Sequence, residues 1–247
     1  MKDAQAKLEE RAVKLRTSHS KVVEQIGSAI VSGRFPTGEA LPGDAELEYR
    51  YGVSRSVLRE VMKTLAAKRM IVPKSRIGTK VTPRKSWNML DADVLRWHFM
   101  AGVSPEFIHH LYDGRLVLEP AGAEFAARKA TDEQRVELRR LAEALGDPQF
   151  DLASHVQADL RFHLQLLIMS GNIFIRSMSD FVVVALEGAF QVTSTLNSPG
   201  RYELVRDAHM LIVDAIDARD PAGAREATHR VIEMGRERAL LALEART

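Results

Sequence analysis

The chain has 247 residues, 45% of them hydrophobic, which is enough for one large domain or two ordinary ones with proper cores. It has no cysteine, so disulfides, thiolate metal ligands and a cysteine nucleophile are excluded. The net charge of +2 conceals an asymmetry: residues 1–85 carry 18 Lys/Arg against 9 Asp/Glu (net +9), and residues 86–247 carry 17 against 24 (net −7). A basic front part suits a nucleic acid, and the acidic remainder has another task. No run of 18 apolar residues occurs and the N-terminus is polar. Neither a membrane span nor a signal peptide is expected, which makes the cytoplasm the default location.

Residues 1–19 are densely charged and read as a frayed helical arm. Residues 21–33 (KVVEQIGSAIVSG) are apolar at 22, 23, 26, 29 and 30, a helical stripe that stops at glycine. A second short helix, Asp44–Tyr51, follows Leu41-Pro42-Gly43. Gly52 can take the left-handed conformation that turns the chain, and Ser54 is a good N-cap for a third helix. There Val57, Leu58, Val61 and Leu65 share one side, while Arg55, Arg59 and Lys63 share the other. From residue 54 to 85 there are ten Lys/Arg against one acid, Glu60. A short helix with arginine at its start suits a DNA major groove, where Arg can grip guanine O6 and N7. On spacing alone a solvated basic face is an equal reading. Met70–Val72 and Thr79–Thr82 then read as two small strands about a polar turn, which completes a winged helix-turn-helix over residues 20–83.

These residues resemble a family. Leu41-Pro42, Glu46-Leu47, Gly52-Val53-Ser54-Arg55, Leu58-Arg59-Glu60 and Gly78-Thr79 are similar to the GntR-type DNA-binding domain. The resemblance places Ser54, Arg55, Ser56, Val57 and Arg59 at DNA-contacting positions. Two departures stand out. Many members carry arginine where this chain has Ala45, and many have glycine at the wing tip where this chain has Arg76, which would add a minor-groove or phosphate contact.

Residues 84–104 form a linker. Within it Trp87–Met100 (WNMLDADVLRWHFM) reads as a hinge helix, capped by Asp91 or Asp93, that docks on the second domain. From residue 105 to 247 the pattern is helix after helix: Pro105–Lys129, Thr131–Leu145, Phe150–Ser170, Ile173–Leu196, Tyr202–Arg219 and Pro221–Ala245. Ile173–Leu196 is apolar nearly all round and should be central. The expected fold is mainly α, a winged helix-turn-helix followed by an all-α bundle of six or seven helices.

Asp159 and His163 are i and i+4 on one helix face. His209 and His229 lie in the last two helices, each roughly 15 Å from the turn at Asp220, so an antiparallel pair brings them to one height. One carboxylate and three imidazoles would suit Zn²⁺, or Ni²⁺ or Mn²⁺, with positions left open. The alternative is that these four are unrelated. The region also resembles the FCD-type ligand-sensing domain of FadR-like GntR regulators, through Arg115-x3-Glu119, Asp159-x2-Phe162-His163, Gly171-Asn172, His209 and His229. That resemblance implies a metal held by Asp159, His163, His209 and His229. It also implies that Arg115 grips an effector carboxylate, where spacing alone equally allows a surface salt bridge with Glu119. Thr193 and Ser194 would reach ligand hydroxyls, and Arg161 and Arg176 are expected to be solvated.

The linker pattern Trp87-Asn88-x2-Asp91-x-Asp93-Val94-Leu95-x-Trp97 is similar to that of galactonate-responsive repressors in this branch. The expectation is a homodimeric repressor on an inverted-repeat operator of double-stranded DNA, released by a sugar acid at the metal. A regulator of the same fold with a structural metal and another acid, such as a keto acid or an acyl-CoA, is the alternative. A metal-dependent hydrolase would need a general base, and neither Glu187 nor Asp207 is obviously placed for that.

Overall fold

The computed structural model describes residues 18–74, 78–193 and 201–245. The expected N-terminal arm lies almost wholly outside the described residues. The chain divides into two compact units, Met1–Gly102 and Val103–Thr247.

The first unit opens with helix α1, residues 18–31, followed by α2 (Asp44–Tyr51) and α3 (Arg55–Ala67). Gly52 ends α2 at φ 62°, and its amide bonds back to the carbonyls of Glu48 and Tyr49. Ser54 is the N-cap of α3, with extended backbone, but its hydroxyl meets Ser56 Oγ at 3.0 Å and closes on no backbone amide. Strands β1 (Ile71–Lys74) and β2 (Gly78–Val81) pair antiparallel, Ile71 opposite Val81 and Lys74 opposite Gly78. An isolated bridge ties Ala40 to Lys80. The core joins Val22, Ile26 and Ile30 of α1 to Leu47 of α2, Leu58, Val61 and Leu65 of α3, and Met70, Ile71 and Val81 of the hairpin. Each such side chain contributes roughly 1.5–3 kcal/mol by leaving water.

Helix α4 (Ala92–Ala101) departs from expectation. Asp91 caps it, accepting from the amides of Asp93 and Val94. However, Trp87, Val94 and Trp97 belong to the first unit's core, so the apolar face expected to dock on the second domain is committed to the DNA-binding unit. The fit requires a bare helix opposite: a Cβ on Gly27 of α1 would lie 2.3–2.6 Å from the Trp97 ring. Lys68, at the end of α3, locks the arrangement. It is buried, with Nζ 2.7 and 2.8 Å from the two oxygens of Asp91 and 2.8 Å from Asp93.

The second unit contains seven helices among the described residues: α5 (Pro105–Lys129), α6 (Asp132–Ala144), α7 (Leu152–Met169), α8 (Ile173–Arg176), α9 (Ser179–Thr193), α10 (Arg201–Asp217) and α11 (Pro221–Glu244). Thr131 and Gln134 form a reciprocal capping box at the start of α6. The expected single helix over 173–196 is broken in two. Asn172 caps only the single turn of α8, and Ser177 and Ser179 bond back to the carbonyls of Ile173 and Arg176, which ends that turn before α9 begins. Helices α5 and α11 run antiparallel, as the pairs Asp113–Arg236 and Glu124–Arg225 require. Alanines 123, 126 and 127 of α5 and 224 and 227 of α11 let the helices approach closely, and Phe162, Leu166, Ile212 and Ile216 fill the adjoining core.

Candidate metal centre and nucleic-acid interface

Helix α7 carries His155, Asp159 and His163 at i, i+4 and i+8, all three buried. Helix α10 brings His209 to the same place. Nε2 of His209 lies 3.2 Å from an oxygen of Asp159 and 3.4 Å from Nε2 of His163, which is 3.9 Å from the other Asp159 oxygen. Donors about 2.1 Å from a shared ion at tetrahedral or octahedral angles stand about 3.0–3.5 Å apart; the two separations from His209 meet this and the His163–Asp159 one is wider, so the cluster could hold one divalent cation.

The neighbours of the outer ring nitrogens bear on this. Nδ1 of His209 lies 2.7 Å from the carbonyl of Val205, an acceptor only, and Nδ1 of His163 lies 2.5 Å from Glu119. His209 therefore donates through Nδ1, which in its neutral form leaves its Nε2 lone pair facing Nε2 of His163 and the Asp159 carboxylate. Only a cation, a shared proton or a metal ion, reconciles them. Burial pushes the Asp159 carboxyl up, but its contacts with His209, His163 and Arg115 outweigh that and hold it at about 2.

Glu119 is fully buried, accepts from Arg115 Nε at 2.6 Å and lies 2.5 Å from Nδ1 of His163. Burial pushes its carboxyl up, yet Arg115 and then His163 bring it down to about 2, so it stays ionised. The Arg115–Glu119 pair thus exists, but it is buried beside the centre and not on the surface. Sequence reasoning gave Glu119 no site role, because its contact to His163 crosses between helices and leaves no trace in spacing.

His229 is exposed on α11 and is not part of the cluster. The antiparallel register of the last two helices is as expected, but residue 229 points away from the bundle. Val231, two positions on and about 200° round the helix, faces inward in its place. Among the described residues the candidate ligands are Asp159, His163 and His209.

The centre opens on a cavity of about 90 Å³. Leu186, Ala189, Val205, Val231 and Met234 give it apolar walls, with Thr193 and Arg238 as polar groups. The Thr193 hydroxyl donates to the carbonyl of Ala189 at 3.0 Å and keeps its lone pairs for an incoming donor. His155 lies in the wall, stacked on Tyr202 with ring centroids 3.6 Å apart. Ser194 lies outside the described residues. Arg161, Arg176 and Asp207 are exposed, and Glu187 is not among the lining residues.

On the first unit, Ser54, Arg55, Ser56 and Arg59 are exposed along one face of α3, with Lys63 continuing it. Glu60 engages Lys63 at 2.9 Å, while Arg59 stands 3.7 Å from the same carboxylate with its side chain 74% exposed. Val57 is corrected: it is buried in the seam with Leu58 and Val61, and a residue holding the core has little surface to offer DNA. Arg76 lies outside the described residues.

Comparison with known proteins decides the family. Residues 18–81 match the model of bacterial regulatory proteins of the gntR family, and residues 110–234, half of the chain, match the FCD domain. The chain belongs to the GntR family, with an FCD domain. This GntR regulator is 32% identical over 213 residues to the uncharacterised HTH-type transcriptional regulator YieP of Escherichia coli, covering 85% of this chain and 90% of that one. It is 31% identical to the galactonate operon transcriptional repressor of the same organism, covering 86% and 92%. Its fold matches a solved structure of Lar from Listeria monocytogenes with a TM-score of 0.60 at 17% identity, over 90% and 95% of the two chains. The GntR regulator is therefore a DNA-binding transcriptional regulator and not an enzyme. No helix among its described residues is long and apolar enough to cross a membrane.

Proposed function

We propose that this GntR regulator represses a sugar-acid catabolic operon and that a small carboxylate such as galactonate, taken up at the Asp159–His163–His209 centre, releases it from its operator. The observation that carries the reading is the convergence of three lone-pair donors on a buried cavity. A divalent ion there, Zn²⁺ or else Ni²⁺ or Mn²⁺, would supply a Lewis-acid anchor for a carboxylate. The chain's own part is to hold the imidazoles in place, His163 beside Glu119 and His209 on the Val205 carbonyl. Arg115 holds Glu119 ionised and lines the cavity, where it adds a second cation for the acid.

Ser54, Arg55, Ser56 and Arg59 would read the major groove. As a homodimer the protein would set two such helices about 34 Å apart, one DNA turn, on an inverted repeat. The effector must prefer the state that binds DNA poorly, and DNA then weakens effector binding by the same factor. Similarity to the galactonate operon repressor supports the choice of a sugar acid.

A second reading is favoured by the walls of the cavity. Apolar walls leave surplus hydroxyls unpaired, so a smaller hydroxy or keto acid fits with less loss. A thermal-shift and gel-shift panel of aldonates, uronates and small hydroxy acids separates the two. The expected result is stabilisation and operator release by one of these classes; release by none removes the effector reading.

A further inference from the structure

We infer that Glu60 is a specificity-determining residue of the reading helix: its carboxylate accepts a hydrogen bond from the N4 amino group of a cytosine in the operator and disfavours every other base at that position. The inference rests on the reading of α3 as the helix that enters the major groove, and it adds a base to that reading.

Between residues 54 and 85 Glu60 is the one acid among ten Lys/Arg. It does not stand apart from the cations of the reading face. Its side chain is 53% exposed on α3, one helical turn after the exposed Ser56. Nζ of Lys63 lies 2.9 Å from its Oε1, and Nε of Arg59 lies 3.7 Å from the same oxygen. The hydrogen bond from Lys63 lowers the Glu60 carboxyl below its ordinary range, so it meets DNA as an anion. DNA that reaches Arg59 and Lys63 is brought up against this carboxylate as well. A carboxylate facing phosphates is repelled, which lowers affinity for any sequence unless a donor meets it. The major groove offers amino donors at two places, cytosine N4 and adenine N6. Adenine carries the acceptor N7 beside N6, and that lone pair repels a carboxylate. Guanine presents two acceptors, and thymine an acceptor and a methyl group. Cytosine alone presents a donor with no acceptor next to it on the same base. Glu60 thereby turns a general repulsion into selection: it carries a penalty at every wrong base that the right base removes.

The test is the sequence that the full chain selects from a library of randomised duplexes. Wild type should select a motif with one fixed cytosine per reading helix that depends on Glu60. Glu60→Gln should accept adenine there, since glutamine pairs with N6 and N7 together, and the preference for cytosine should fall at least about tenfold. The other fixed positions should stay. On a scrambled duplex Glu60→Gln should bind at least about twofold more tightly than wild type, because the repelling charge is gone. The side chain is exposed, so the variant should melt with wild type. Lys63→Met should keep the cytosine. The same motif from wild type and Glu60→Gln, or no gain on the scrambled duplex, overturns the inference and leaves the groove reading standing. Loss of the cytosine in Lys63→Met also overturns it, since Glu60 would then act only by ordering Lys63. Arg59→Ala selecting the wild-type motif with wild-type affinity overturns the groove reading itself.

Discussion

Glu119 accepts from Arg115 and stands 2.5 Å from Nδ1 of His163. Its charge orients His163 and neutralises Arg115 in a place that water does not reach. Glu119→Gln removes that charge. Breaking a buried pair from one side costs about 3–5 kcal/mol, and loss of a ligand's orienting partner typically weakens metal binding about 10–100-fold. Thermal melts and metal titration should show both effects, and an unchanged metal affinity would mean that His163 needs no partner. The i, i+4 pairing of Arg115 with Glu119 was legible in the sequence. Its burial and its link to α7 were not, because they depend on how α5 packs across the bundle. At the other end of the chain, Arg59 is exposed and only loosely paired. Arg59→Ala should leave the melting temperature unchanged and weaken operator binding by about 1–3 kcal/mol, measured by gel shift. Wild-type affinity in that variant would place the reading face elsewhere.

Helix α11 shows why an element must be read as a whole. Ala224, Ala227, Thr228, Ile232, Ala239 and Ala242 form its buried stripe, a pattern already present in the sequence. That stripe leaves residue 229 outside and 231 near its edge. Counting heights from the Asp220 turn said nothing of direction, and direction decides ligation. The winged helix-turn-helix was legible for the opposite reason: the apolar seam, the Gly52 turn and the basic face of α3 all agree on one orientation. What escaped was the destination of α4, since an amphipathic helix does not announce which surface it covers. Its anchor to α3 is Lys68. Burial alone would lower the Lys68 pKa, but its hydrogen bonds to Asp91 and Asp93 outweigh that and raise it. The contribution is therefore fully present below the ordinary lysine pKa and fades only as pH rises through the higher folded value. Lys68→Met should lower stability at neutral pH by roughly 1.5–3 kcal/mol, the range for hydrogen bonds to a charged group. Denaturant unfolding checks it, and a wild-type midpoint would show that the clasp is not needed.

The molecule combines a basic unit that meets DNA with an acidic one that carries a buried cluster able to hold a cation, as the split in charge along the sequence suggested. The chain enters the second unit directly after α4, whose first turn is tied to the end of α3 by the Lys68–Asp91–Asp93 clasp. The two tasks should be separable: His209→Ala is expected to lose metal and effector response and to keep operator affinity. The most direct measurement is the dissociation constant for a labelled duplex from the regulated promoter, taken by fluorescence anisotropy. It compares metal-loaded wild type with His209→Ala, each with and without the acid that shifts the melting curve. The account predicts that the acid weakens wild-type binding at least about tenfold and leaves His209→Ala unmoved. Equal weakening in both proteins, or none in the wild type, would contradict it.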